Sequence, residues 1–75
     1  MSGRARRLRA MRAAAGLTAV ELGRKLRVPP ERVAAWESGV ARPNAAQVRR
    51  LALALGVTPA AVLMALAEGE REGAF

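Results

Sequence analysis

Cysteine, histidine, aspartate, tyrosine and isoleucine are absent from these 75 residues, and lysine and tryptophan occur once each. Without cysteine there is no disulfide, and without histidine as well the usual zinc ligand sets cannot be assembled, so no metal site is expected. The same gaps leave catalysis with little to use. There is no thiol, imidazole or phenol, no Gly-x-Gly or P-loop pattern, and the six glutamates have no evident acidic partner. Neither an enzyme nor a cofactor is expected. No apolar run reaches the ~18 residues that read as a membrane span. The arginine-rich start lacks the apolar stretch of a secretory signal, and its leucine and methionine suit an amphipathic helix better than a transit peptide. A cytoplasmic protein is the default expectation.

Alanine supplies 18 of the 39 apolar residues, which leaves about twenty bulky side chains to fill one small core. The charge is uneven. Residues 1–67 carry 12 Lys and Arg against three Glu, while residues 68–75 hold three Glu and one Arg. A small basic domain points to a polyanionic partner, nucleic acid first. Compositional bias accounts for arginine over lysine; it does not account for the lack of aspartate.

The stretch Thr18–Ser38 organises the chain. Thr18 is a good N-cap, and Leu22 and Leu26 share one face of the helix that follows it. Val28 and Pro29 each precede a proline and are pushed towards extended geometry, which breaks the pattern. A second helix starts with Pro30 at its first position and Glu31 facing its positive end, and its buried side is Val33 and Trp36. Helix, short turn, helix with apolar inner faces is a helix-turn-helix. On the Val33 face Trp36 reads as core and not as a stacking platform. Gly23 stands where a small residue lets the next helix cross closely, at a propensity cost of about 1 kcal/mol.

A helix from about Arg4 to Ala15 precedes this unit, with Leu8, Met11 and Ala15 on one face and Gly16 as its stop. After the loop Gly39-Val40-Ala41-Arg42-Pro43, Asn44 and Gln47 make a capping box for a helix Ala45–Leu55, ended by Gly56, with Val48, Leu51 and Leu55 inward. Thr58 caps a last helix, Pro59 to about Ala67, with Val62, Leu63 and Leu66 able to pack inwards. The remaining GEREGAF has no periodicity and is expected to be a disordered acidic tail, so that the domain is residues 1–67 and the tail 68–75. Repeats and strand patterns are lacking. The expected fold is all-α, a compact five-helix orthogonal bundle.

Read in order, Leu8-x-x-Met11-Arg12, Gly16-Leu17-Thr18, Glu21-Leu22-Gly23, Leu26-x-Val28, Val33-x-x-Trp36-Glu37-Ser38-Gly39, Arg42-Pro43-Asn44 and Leu51-Ala52-x-Ala54-Leu55-Gly56-Val57-Thr58 resemble the small λ-repressor-like (Cro/C1, XRE-type) helix-turn-helix domains, over roughly Leu8 to Leu63. The resemblance implies double-stranded DNA as partner, with the helix from Pro30 to Ser38 in the major groove. It places Pro30, Glu31, Ala34 and Ala35 towards bases, with Arg32 beside the backbone or a base. Glu31 can accept from cytosine N4, the alanines and Pro30 can touch thymine methyls, and Arg32 can make a bidentate guanine contact. The glutamine usual after the helix N-cap is Ala19 here, which leaves the Thr18 hydroxyl and the helix amides for a phosphate. Arg42 and Arg9 are further phosphate candidates. The resemblance also implies an Arg12–Glu37 ion pair, an arginine (Arg27) where the turn usually has glycine, and a homodimer contact on the last helix through Leu63, Met64 and Leu66.

Two functions follow. The leading one is a repressor-like transcriptional regulator binding operator DNA as a homodimer. The alternative is an antitoxin-like or adaptor module whose specific partner is a protein, with weak and mostly non-specific DNA contact. The alanine-rich reading face favours the alternative; the basic charge favours the leader.

Overall fold

A computed structural model describes residues 6–73, the side chains of residues 68–73 excepted. The helices are α1 (Arg6–Ala14), α2 (Ala19–Leu26), α3 (Pro30–Ser38), α4 (Ala45–Leu55) and α5 (Pro59–Gly73), with no strand among the described residues. Pro30 and Pro59 occupy first helical positions, where a missing N–H leaves no bond unmade. Asn44 and Gln47 form a reciprocal capping box at α4, with both bonds at 2.8 Å.

Four helices end in one pattern. Gly16, Arg27, Gly39 and Gly56 have left-handed backbone, with φ of 75, 61, 83 and 72°. The N–H after each reaches back five residues: Leu17 to the Arg12 carbonyl, Val28 to Gly23, Val40 to Ala35 and Val57 to Ala52, at 2.9–3.2 Å. Glycine fills that position at three of the four ends. Arg27, the one non-glycine of positive φ among the described residues, bears a steric cost of about 1 kcal/mol. Gly23, one turn earlier, is needed for a different reason. A Cβ there would lie 2.6 Å from the Val28 carbonyl oxygen, so the close approach is made by the turn itself more than by the crossing of α3.

The core draws on every helix: Leu8 from α1, Leu22 and Leu26 from α2, Val33 and Trp36 from α3, Val48, Leu51, Ala52 and Leu55 from α4, and Val62 and Leu66 from α5. α2 packs on α3 and α4, and α5 packs on α1 and α4, so the last helix closes the bundle over the first. Against α1 and α2, α3 buries one side only.

Several expectations need correction. Ala15 lies beyond the end of α1 and is exposed; the expected first residue of that helix, Arg4, falls outside the described residues. α5 runs to Gly73, past the end expected near Ala67 and across the boundary of the expected disordered tail. Alanine and glutamate are good helix formers, and no proline intervenes to stop the last turns. The buried stripe of α5 is Val62, Ala65 and Leu66, at helical i, i+3, i+4 spacing. Leu66 therefore belongs to the core of its own chain and is not available as a dimer contact. Leu63, expected inward, sits one position off that stripe and is half exposed, as Met64 is more fully. No single described helix is long and apolar enough to cross a membrane.

Candidate nucleic-acid interface

With Val33, Trp36 and Glu37 turned inward, α3 presents Pro30, Glu31, Arg32 and Ala34 to solvent, with Ala35 half-buried. At 100° per residue, Glu31, Ala34 and Ala35 form one strip, flanked by Pro30 and Arg32. The five residues named as base-facing are thus brought together on one face. Trp36 is not part of it: the indole is 1 % exposed, and its N–H finds no acceptor within the protein.

A partly buried ion pair joins the last turn of α3 to the end of α1. Arg12 Nε donates to Glu37 Oε2 at 2.6 Å, Arg12 Nη2 donates to Glu37 Oε1 at 3.1 Å, and Arg12 Nη1 donates to the Leu17 carbonyl at 3.0 Å. One guanidinium so ties the end of α1, the approach to α2 and the last turn of α3. The hydrogen bonds it donates to Glu37 hold the Arg12 guanidinium above its usual range, against the opposing effect of burial. Glu37 is the one buried charged side chain among the described residues. The resemblance had paired these two residues, and the geometry brings them together.

The same clasp bears on Arg9. Its Nε is 3.8 Å from Glu37 Oε1 on a largely exposed side chain. That places Arg9 by the last turn of α3, about 9 Å along the helix axis from Glu31. Arg42 is exposed on the loop between α3 and α4.

At the start of α2 the anion site is narrower than expected. Thr18 Oγ1 accepts from the Glu21 N–H at 3.1 Å, and the Thr18 N–H donates to Glu21 Oε1 at 2.8 Å. This is a reciprocal capping box, written in the sequence as Thr18-x-x-Glu21. The Thr18 backbone and side-chain bonds hold the Glu21 carboxyl below its ordinary value. The Ala19 and Val20 amides are the donors here with no intrahelical acceptor, and they stand beside one carboxylate. The Ala19 methyl packs on the core, so only its amide is offered.

Sequence reasoning did not foresee a second basic feature. Lys25, Arg27, Arg50, Leu53 and Ala54 line an open hollow of about 720 Å³ between α2 and α4. The cations come from two helices whose pairing no local pattern reveals.

A helix-turn-helix family profile matches residues 8–62, which takes in the clasp, the turn, α3, α4 and the start of α5. The chain belongs to the Cro/C1-type helix-turn-helix family. No curated protein and no solved structure matches it. Membership makes the domain a DNA-binding helix-turn-helix of a regulatory family, with α2 and α3 as its two motif helices. In this member of the Cro/C1-type family the second motif helix carries two charges, Glu31 and Arg32, and a bed of alanine on its outer face, and the first begins with Ala19 after its N-cap.

Proposed function

We propose that this protein is a repressor-like transcriptional regulator that reads operator DNA with α3 in the major groove, acting in the cytoplasm as a homodimer. The observation that carries the reading is the exposed strip of α3 held out by the Arg12–Glu37 clasp. An α-helix fits the major groove, and small side chains let its backbone come close to the base edges. Arg32 then takes the guanine edge, Glu31 accepts from cytosine N4, and Ala34, Ala35 and Pro30 lie against thymine methyls. Thr18, the Ala19 amide and Arg42 hold phosphates on either side, which sets register without reading sequence. Arg9 is a weaker candidate because Glu37 lies beside it.

One such domain reads one half-site. Leu63 and Met64, 50 % and 64 % exposed, are the apolar residues of α5 free to meet a second copy. Pro43, Ala45, Val48, Arg49, Pro59 and Leu63 line a mostly apolar hollow of about 320 Å³. Two-fold pairing through this face lets the dimer read sites roughly 34 Å apart. Sedimentation with and without DNA tests the pairing; a monomer at high protein concentration in both would remove it. The specific reading is tested by titrating preferred and random duplexes at several salt concentrations. Equal affinity for both leaves a non-specific basic domain, and the adaptor reading then takes its place.

A further inference from the structure

We propose that the hollow between the last turn of α2 and the C-terminal half of α4 docks an acidic, amphipathic helical segment of a partner protein. Its carboxylates face Lys25, Arg27 and Arg50, and an apolar side chain lies on Leu53 and Ala54. This goes beyond DNA reading and does not depend on it. Lys25, Arg27 and Arg50 are exposed. The ion pairs of Glu37 involve Arg9 and Arg12, at the other side of the bundle, and none reaches these three cations. Glu21, one turn before Lys25, directs its carboxylate to the Thr18 amide. Glu21 acts on Lys25 through space without an ion pair to it, and the three cations leave the hollow net positive.

Two further observations separate this surface from a solvated basic patch. Leu53 is 84 % exposed, beside the cations and away from the core stripe of α4. A phosphate backbone would use the cations and leave Leu53 in water, whereas an acidic segment carrying an apolar side chain uses both. Arg27 is the second. Three of the four left-handed helix ends are glycine, and here a strained arginine stands instead, its side chain lining the hollow. Cations favour a helix C-terminus, which accounts for Lys25. It accounts neither for Arg50 and Leu53 on α4 nor for arginine at a position where glycine is unstrained. The hollow and Thr18 lie at opposite ends of α2, about 12 Å apart.

The test is an NMR titration of the isotope-labelled full chain with a helical peptide of about 15 residues that bears two glutamates four apart and a leucine between them. Saturable shifts are expected at Lys25, Arg27, Arg50 and Leu53. Charge reversal by Arg50→Glu should weaken the peptide about tenfold, and a Glu→Gln peptide should lose a similar factor. Leu53→Ser should weaken peptide binding and leave random-duplex binding unchanged. Arg27→Gly is the sharpest variant, because it should raise the melting temperature while weakening the peptide. No saturable shift at these residues would overturn the proposal. So would peptide binding indifferent to Leu53→Ser with a random duplex competing at the hollow, the signature of a phosphate surface. Arg27→Gly that melts higher with binding unchanged would also count against it.

Discussion

Cutting the Arg12–Glu37 pair on one side should cost this domain much of its stability. The Glu37 side chain is 6 % exposed and that of Arg12 17 %, so the pair is buried mainly on the glutamate side. Arg12→Leu removes three charge-assisted bonds, two of them to Glu37, and strands a buried carboxylate, for which about 3–5 kcal/mol is the usual cost. Arg9, at 3.8 Å on a 71 % exposed side chain, can return only about 0–1 kcal/mol of that. Glu37→Leu strands a guanidinium that reaches water more readily and keeps its bond to the Leu17 carbonyl, so a smaller loss, about 2–3 kcal/mol, is expected. A domain of 75 residues has about 4–11 kcal/mol in total at ordinary per-residue stability. Arg12→Leu should then leave the domain close to its unfolding threshold. Urea unfolding followed by Trp36 fluorescence measures each variant. The double Arg12→Leu, Glu37→Leu replacement should cost less than the sum of the singles by about 2 kcal/mol or more. Losses that add to within about 0.5 kcal/mol would refute the clasp.

Three other changes probe separate parts of the structure. Trp36→Ala should destabilise by about 3–5 kcal/mol, and the native indole emission should be blue-shifted and poorly quenched by iodide; an easily quenched Trp36 would contradict its burial. Gly23→Ala gains about 1 kcal/mol of helix propensity, yet it should lower the melting temperature, because its Cβ would stand 2.6 Å from the Val28 carbonyl oxygen. Glu21→Gln addresses pH. The Glu21 carboxyl is held below its ordinary value of 4.5, so its contribution is fully present above that pH and is lost as pH falls through the lowered value. The glutamine variant keeps the capping box, and its melting temperature should fall less than that of the parent on acidification below pH 4.5.

Helix bounds were legible where a local rule sets them. Pro30 and Gly39 frame α3, and Asn44, Gln47 and Gly56 frame α4, so both helices begin and end where the sequence places them. The end of α5 was not, because no residue between Ala67 and Gly73 stops a helix as proline does. Facing was read less well than position. Leu63 and Leu66 both fit an apolar pattern, and only the packing of α5 on α1 and α4 decides that Leu66 goes in and Leu63 stays half out. The strip on α3 follows from two buried neighbours, Val33 and Trp36, and so was accessible from spacing. The hollow of Lys25, Arg27 and Arg50 was not, since it exists only once α2 and α4 lie together. The capping box at Thr18-x-x-Glu21 is written in its spacing, and it places a carboxylate beside the first amides of α2.

The central claim is that α3 reads bases, and one binding comparison tests it most directly. Arg32→Ala, Glu31→Gln and Arg42→Ala are each titrated against the preferred duplex and a random duplex over a range of salt. Loss of Arg42 should weaken both duplexes alike and reduce the salt slope by about one, as for a phosphate contact. Loss of Arg32 should cost about 1–3 kcal/mol on the preferred duplex and little on the random one, and Glu31→Gln should shift preference more than strength. If Arg32 and Glu31 variants instead weaken preferred and random DNA equally, α3 does not read sequence.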